Sequence, residues 1–509
     1  MNFIKECHIQ LHSSQNVLPY QVVNGDETFG LFNIAIHSTP IREGPFHFVF
    51  TIDTTLSMTE KDSTGITKIE YMKETLIKML AYLESLDPRI YVTIYTFNII
   101  SELVVNNILL NEGSVVFIQE FIKEFKPDNS TNIQIALETA NTVTQKLKID
   151  YPDRQLAHIF MTDGEANIGI TSSDGLAKLI NTSLPNVFIG FGKDHNSKTL
   201  SRFAKCKNCE YYFVDNLENS VLVYAEAVHN ILCGALYEVE FHISNGELYD
   251  YQKNEWTYVL YENVLSSESN KFYQLKTRCP ESVEVSIICG RSIIDNGTPL
   301  PDLCDGDEIM LTDLTKYAYR KKVQELLYLS SIDDTRKELS KDDLDFDTLR
   351  NSYSKHSVVS QYNKLKTEMR DLFNNIRHYM LDNKMLDDPL LSLLCEDLYV
   401  TINTMDLGRE TSSMYAAARQ TSQGRQRSYN VGSSIPETVN YDDIPRLIRE
   451  TNDPYDFQNY SLDRNTTTCF ASPTMLNMFR ELSQQDPAGN ITNPTDSQSP
   501  ISQDFENLH

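Results

Sequence analysis

Short oxygen-bearing side chains gather at three points of this 509-residue chain. Asp53-Thr54-Thr55-Leu56-Ser57 follows directly on the apolar run FHFVFTI, Asp163-Gly164 follows LAHIFMT, and Ser130-Thr131-Asn132 lies between the two. The chemistry such groups share is the binding of a hard cation. Mg²⁺ takes near-octahedral oxygen ligands at about 2.0–2.1 Å and keeps several waters. Thr55 and Ser57, two residues apart, can turn both hydroxyls toward one ion from a single loop, and Thr131 adds a third from another. Asp53 and Asp163 supply negative charge, directly or through water. With so few direct carboxylates, Mg²⁺ (or Mn²⁺) stays electrophilic there and keeps a position for an Asp or Glu of a protein partner. Such a site recognises and needs no bond made or broken. Each piece alone has a plainer reading: Asp53 or Ser57 can cap the next helix, Thr131 is a natural N-cap, and Asp-Gly is a common turn pair. Their joint placement after successive buried strands is what favours the cation.

The elements that must position these groups read as alternating strands and helices. Phe46–Ile52 is apolar throughout, the pattern of a strand buried on both faces. Ile69, Met72, Leu76, Met79, Leu80 and Leu83 share one face of a helix over 67–86. Strands follow at 90–97, at 102–109 on an edge, and at 156–162, 187–191 and 211–214. Helices fit 114–125, 132–148, 174–182, 197–205 and 217–233. Residues 41–233 therefore predict a doubly wound α/β domain with a mostly parallel, Rossmann-like sheet. In such a sheet ligands bind beyond the carboxyl ends of the strands, where all three oxygen clusters fall.

Short alternating strands return over 234–312, as in a β-sandwich, and residues 1–40 have the same texture. The two segments are expected to pair, with the α/β domain inserted between them. Residues 313–404 read as helical. There Val358, Tyr362, Leu365, Met369, Leu372, Ile376 and Tyr379 recur at alternating spacings of four and three, a heptad seam. It suits an intramolecular hairpin with a helix near 388–403, or self-association through 354–382. Residues 405–509 lack lysine and are rich in Ser, Thr, Asn, Gln, Asp and Pro, which predicts a disordered tail. Within it, Ser413-Met414…Arg419…Ser422-Gln423 and Thr474-Met475…Arg480…Ser483-Gln484 repeat one pattern. In the second copy Met475, Met478, Phe479 and Leu482 would line one helical face. The two copies suit two short helical docking motifs, seated in a groove of a partner or of this chain.

Residues 46–58 (FHFVFTIDTTLSM), 129–137 (NSTNIQIAL), 158–165 (HIFMTDGE) and 187–216 (VFIGFGKDHN…YYFVDN) resemble the von Willebrand factor A domain family. Its metal-ion-dependent adhesion site reads D-x-S-x-S, then a Thr, then an Asp. The resemblance places Asp53, Ser57, Thr131 and Asp163 in that pattern and departs at Thr55, where a methyl group is added beside the ion. It implies a Rossmann-like fold and metal-dependent protein binding. A following β-rich and helical region is similar to the inter-alpha-trypsin inhibitor heavy chains and to plant RING-finger proteins with an A domain, although no RING array is present here.

Composition narrows the function classes. With 45 basic against 71 acidic residues the formal charge is −26, which disfavours nucleic acid and anionic membranes as partners. No run approaches the roughly 18–20 apolar residues of a membrane span, and the first residues lack the apolar core of a secretory signal. Nine scattered cysteines suggest reduced thiols and a cytoplasmic setting, and the lone pair Cys206-x-x-Cys209 reads as structural. Histidine, serine and glycine motifs of hydrolases and nucleotide enzymes are missing, so no catalysis is expected. The alternatives to a binding protein are an adaptor subunit of a larger ubiquitin-ligase-like or ATPase/chelatase-like complex, or an assembly protein with a vestigial metal site.

Overall fold

The computed structural model describes residues 3–427, apart from short gaps and longer ones at 293–309 and 333–352, and beyond them residues 457, 460 and 470–484. Two β-strands lead, β1 (Ile4–His12) and β2 (Thr28–Ile36). The α/β domain follows with β3 (Phe46–Asp53), α1 (Lys68–Ser85), β4 (Ile90–Phe97), β5 (Ser101–Leu109), α2 (Glu112–Lys123), α3 (Ile133–Asp150) and β6 (Gln155–Thr162). It is completed by α4 (Ser173–Ala177), β7 (Asn186–Phe191), α5 (Ser197–Ala204), β8 (Cys209–Val214) and α6 (Leu217–Leu232). Its sheet runs in the order β5-β4-β3-β6-β7-β8, all parallel except the edge strand β5. Every residue of β3 is buried because helices cover both faces, and Phe48, Phe50 and Ile52 are fully inaccessible. The fold is thus a mixed α/β architecture with a central sheet flanked by helices.

The β region holds β9 (Gly234–Ser244), β10 (Gly246–Asp250), β11 (Glu255–Thr257), β12 (Val259–Ser266), β13 (Asn270–Thr277), β14 (Glu284–Ser292) and β15 (Met310–Thr312). β2 lies between β1 and β13 in a six-stranded sheet, with Phe32 opposite Tyr273, so residues on either side of the α/β insertion share one sheet. β12, β9 and β14 form a second sheet. Phe32 and Phe241 meet edge to face across the shared core, ring centroids 5.3 Å apart.

Helices α7 (Thr315–Ser331), α8 (Tyr353–Asp382), α9 (Pro389–Thr404), α10 (Arg409–Arg425) and α11 (Pro473–Gln484) complete the described chain. Met369, Leu372 and Ile376 of the heptad seam are buried with Leu391, Leu394 and Leu398 of α9 and Val323 and Leu327 of α7. The seam is spent inside the chain, which corrects self-association through 354–382 in favour of the hairpin. Val358 lies where side chains are outside the described residues.

The disordered-tail expectation for 405–509 fails at 409–425. α10 packs on α7 and buries Met414, Tyr415 and Ala418 against the α/β core. The composition misled because its polar residues are partnered rather than solvated. Arg419 donates to Asp397, Gln423 donates to the same carboxylate, and Arg427 donates to Tyr211 O and Glu210. Arg425 also pairs with Glu210. On the other side of α10, Arg320 of α7 reaches Gln423 O and Phe272 O, and Lys271 of β13 donates to Arg425 O. The end of α10 therefore ties together the α/β domain, the β region and the helices.

Cys7 is disulfide-bonded, whereas Cys206, Cys209, Cys233, Cys279, Cys289 and Cys395 are free thiols. The expectation of uniformly reduced cysteines is corrected at Cys7. Among the described residues no helix is long and apolar enough to cross a membrane.

Candidate metal centre

β3 is flanked by β4 on one side and β6 on the other, so the chain leaves it in one direction and later returns in the other. The loops after β3 and β6 diverge at this point and open a crevice at the carboxyl edge of the sheet. β3 carries Asp53 to that edge, and a 3₁₀ turn over Leu56–Thr59 follows at once. Thr55 precedes the turn with no side-chain capping bond, which leaves its hydroxyl to the crevice. Thr131 is likewise not a cap: Asn132 Oδ1 accepts from Ile135 N and caps α3. The third loop leaves β6 at Asp163.

Hydrogen bonds hold the three loops in register. Leu56 N donates to Asn129 O, Asp128 N to Thr54 O, and Asn167 N and Ile168 N both to Thr131 O. Thr131 N donates to Asn167 Oδ1 at 2.8 Å. Gly164 permits the closest approach, since a Cβ there would stand 3.0 Å from Thr131 Oγ1 and 3.6 Å from Asp53 Oδ2. The predicted set converges: Thr55 Oγ1 and Ser57 Oγ are 3.1 Å apart, and Ser57 Oγ donates to Asp163 Oδ1 at 2.8 Å. Asp53 accepts from Thr55 N at 2.9 Å and from Thr162 Oγ1 at 2.5 Å.

Burial sets the electrostatics of the site. Burial, and then the neighbouring charge of Asp163, push the Asp53 carboxyl up to about 7. Burial raises Asp163 as well, opposed by Lys68. Two water-excluded carboxylates side by side resist ionising together unless a cation joins them. Three hydroxyls and two carboxylates around one crevice are the donor chemistry of a hard divalent ion, so these residues suit Mg²⁺ or Mn²⁺. Among the described residues no group of three or more His, Cys, Asp or Glu could hold a metal.

Sequence reasoning missed four contributors: Thr162 and Asn167, which brace Asp53 and Thr131, and Lys68 with Glu60. Lys68 Nζ donates to Asp163 Oδ2 at 2.9 Å and to Glu60 Oε2 at 2.5 Å. Burial works against its charge, but Asp163 and Glu60 outweigh that, and its pKa is raised. The signal was present: a lysine at the first position of a helix, immediately after the capping Thr67.

The docking residues lie elsewhere. Met475 and Met478 are buried in this chain's own α/β core, where α11 packs on α6 and α1. Their assignment as partner-binding residues is corrected to docking in cis, because that face is already covered. The side chains of Phe479 and Leu482 lie outside the described residues. Converting both methionines to Asp should cost about 3–6 kcal/mol, since each buried Met contributes roughly 1.5–3. Hydrogen exchange would show it as lost protection along α11 and the face of α6, and unchanged protection would count against the packing.

Residues 48–225 match the family model of the von Willebrand factor type A domain, and the chain carries a domain of that class. Such domains commonly mediate protein–protein interaction and often hold a divalent metal. Among solved structures, the chain is similar to a von Willebrand factor type A protein from Catenulispora acidiphila, at 11% identity over 65% of this chain and 82% of that one, TM-score 0.44. It is similar also to the ArnB paralog VWA2 from Sulfolobus acidocaldarius, at 13% identity over 83% and 99%, TM-score 0.45. A third is proximal thread matrix protein 1 from the mussel byssus with a zinc-occupied MIDAS motif, at 16% identity over 38% and 49%, TM-score 0.30. No curated protein matches the chain.

Proposed function

We propose that this protein is a divalent-cation-dependent protein-binding protein whose A domain captures an Asp or Glu side chain of a partner. The observation that carries the reading is the convergence of Asp53, Thr55, Ser57, Thr131 and Asp163, from three loops, at the switch point of the sheet. Thr55, Ser57 and Thr131 would hold the ion through their hydroxyls, with Asp53 and Asp163 supplying charge directly or through water. When bound, Mg²⁺ or Mn²⁺ supplies an electrophilic position that a partner's carboxylate completes. No bond is made or broken in this role. The rim suits a protein surface: Leu56 is 61% exposed and Ile168 is exposed on two of the site's loops, and Ile99 and Ile100 are exposed in the turn after the neighbouring strand β4. Exposed apolar side chains of this kind supply the area that a protein interface buries.

Calorimetric titration of Mg²⁺ and Mn²⁺ into the full-length chain tests the reading. Saturable binding should weaken about 100-fold in Asp53→Ala, the scale at which losing a supporting group damages a metal site. Undiminished binding in the variant would place the ion elsewhere and end this assignment.

A further inference from the structure

We propose that Lys68 is a tethered cation that competes with the divalent ion for Asp163, giving the site two charge-balanced states, ammonium-in and metal-in. The inference rests on the divalent-site reading above and adds the element that sets when that site engages.

The geometry is that of a built position. The Asp163 side chain has no exposure and Lys68 only 13%, yet Nζ reaches the carboxylate directly at 2.9 Å. The aliphatic stem needs a channel, and Gly192 provides it. A Cβ at Gly192 would stand 2.7 Å from Lys68 Cε, and this glycine has φ +77°, a conformation side chains rarely adopt. The stem thus lies over bare backbone at the end of β7.

Helix formation does not select a lysine here. Thr67 and Glu70 form the capping box of α1, so Lys68 occupies the first helical position. There the macrodipole disfavours a cation and favours an acid. A lysine that works against its own helix is accounted for by the two carboxylates it faces.

Glu60 makes the second state available. It is 55% exposed and already bonded to Lys68, so the ammonium can leave Asp163 without losing its ion pair. The backbones of the pair are also tied, with Lys68 N donating to Glu60 O and Lys61 bridged to Thr67. A divalent ion on Asp163 repels an ammonium on the same carboxylate, so the two cations exclude each other. A binding-competent state populated only fractionally lowers apparent affinity by that fraction. Lys68 would therefore raise the divalent concentration at which a partner is captured.

The test compares Mg²⁺ titrations of the full-length chain with those of Lys68→Met and Lys68→Arg, alongside thermal unfolding in EDTA. Lys68→Met should bind Mg²⁺ about tenfold more tightly, as expected if the ammonium-in state is about 90% populated. It should also unfold several degrees lower in EDTA and regain that loss with Mg²⁺. Lys68→Arg, which keeps a cation, should not tighten binding. As a check without substitution, saturating Mg²⁺ should speed acylation of Lys68 by an amine-reactive ester, read by mass spectrometry. Lys68→Met binding no tighter than the parent, or acylation unmoved by Mg²⁺, overturns the proposal, while metal binding lost in Asp53→Ala would leave the site reading standing. If neither the parent nor Lys68→Met bound Mg²⁺ or Mn²⁺, the site reading would fall and this proposal with it.

Discussion

Arg419→Met should destabilise the protein by about 3–5 kcal/mol, the range for removing one partner of a buried ion pair. The Arg419 and Asp397 side chains are 0% and 1% exposed, with Nη1 to Oδ1 at 2.7 Å, and Gln423 Nε2 donates to Oδ2 at 2.7 Å. Deleting the guanidinium strands a carboxylate that water cannot reach. The loss should spread, because α10 also carries Arg425 and leads into Arg427, both paired with Glu210 on β8. The double variant Arg419→Met with Asp397→Leu should recover most of the loss, since removing both charges also removes their desolvation cost. Urea unfolding of the parent, both single variants and the double variant measures this directly. A cost below about 1 kcal/mol for Arg419→Met, where buried pairs cost several, would show that α10 is not anchored by this pair.

Acidification from pH 7 to pH 5 should destabilise the α/β core by about 5 kcal/mol in EDTA, the balance of two opposed contributions. His47, His158, His195 and His229 are buried. Burial holds His47 down to about 3, with Arg154 adding to the effect, and holds the other three down to about 4. These folded values lie below the unfolded one, so the unfolded chain takes up protons first. The stability they contribute is complete above about pH 6.5 and is lost as pH falls toward the folded values. At pH 5 that amounts to about 2 kcal/mol each, roughly 8 together. Asp53 acts in the opposite sense, because burial and Asp163 push its folded value up to about 7. Its contribution is complete at low pH and lost as pH rises through 7, so it offsets about 3 kcal/mol at pH 5. The remainder is comparable with the whole stability of many domains. Denaturant midpoints at pH 7, 6 and 5 measure the slope, and His158→Asn should reduce it by about a quarter of the histidine contribution. A flat profile would mean that the rings take up protons without unfolding.

The α/β domain was legible because its signals are local. Phe46–Ile52 is apolar on both faces only because helices cover both sides of the sheet, and the helix after Thr67 shows its apolar stripe directly. The gathering of the oxygen-bearing side chains was legible for a related reason: strand ends in an open parallel sheet are places that topology forces together. Lys68 escaped because its local mark, a cation at a helix start, names no partner, and Asp163 lies 95 positions away. The capping readings of Thr131 and Ser57 failed because the neighbouring residue Asn132 took the cap and the turn after β3 closed without one.

By itself, the sequence determined the class of the central domain, the order of its strands and helices, and the five residues at its carboxyl edge. All of these follow from runs, spacing and strand ends, which are properties of short segments. Tertiary structure alone decided that the heptad seam closes within the chain, that the helix over 409–425 packs on α7 and the α/β core, and that Lys68 faces Asp163. Each of these depends on pairing polar or apolar groups far apart in the chain. Arg419 in isolation is a solvated charge in a polar segment, and only Asp397 beside it, out of reach of water, makes it part of the core.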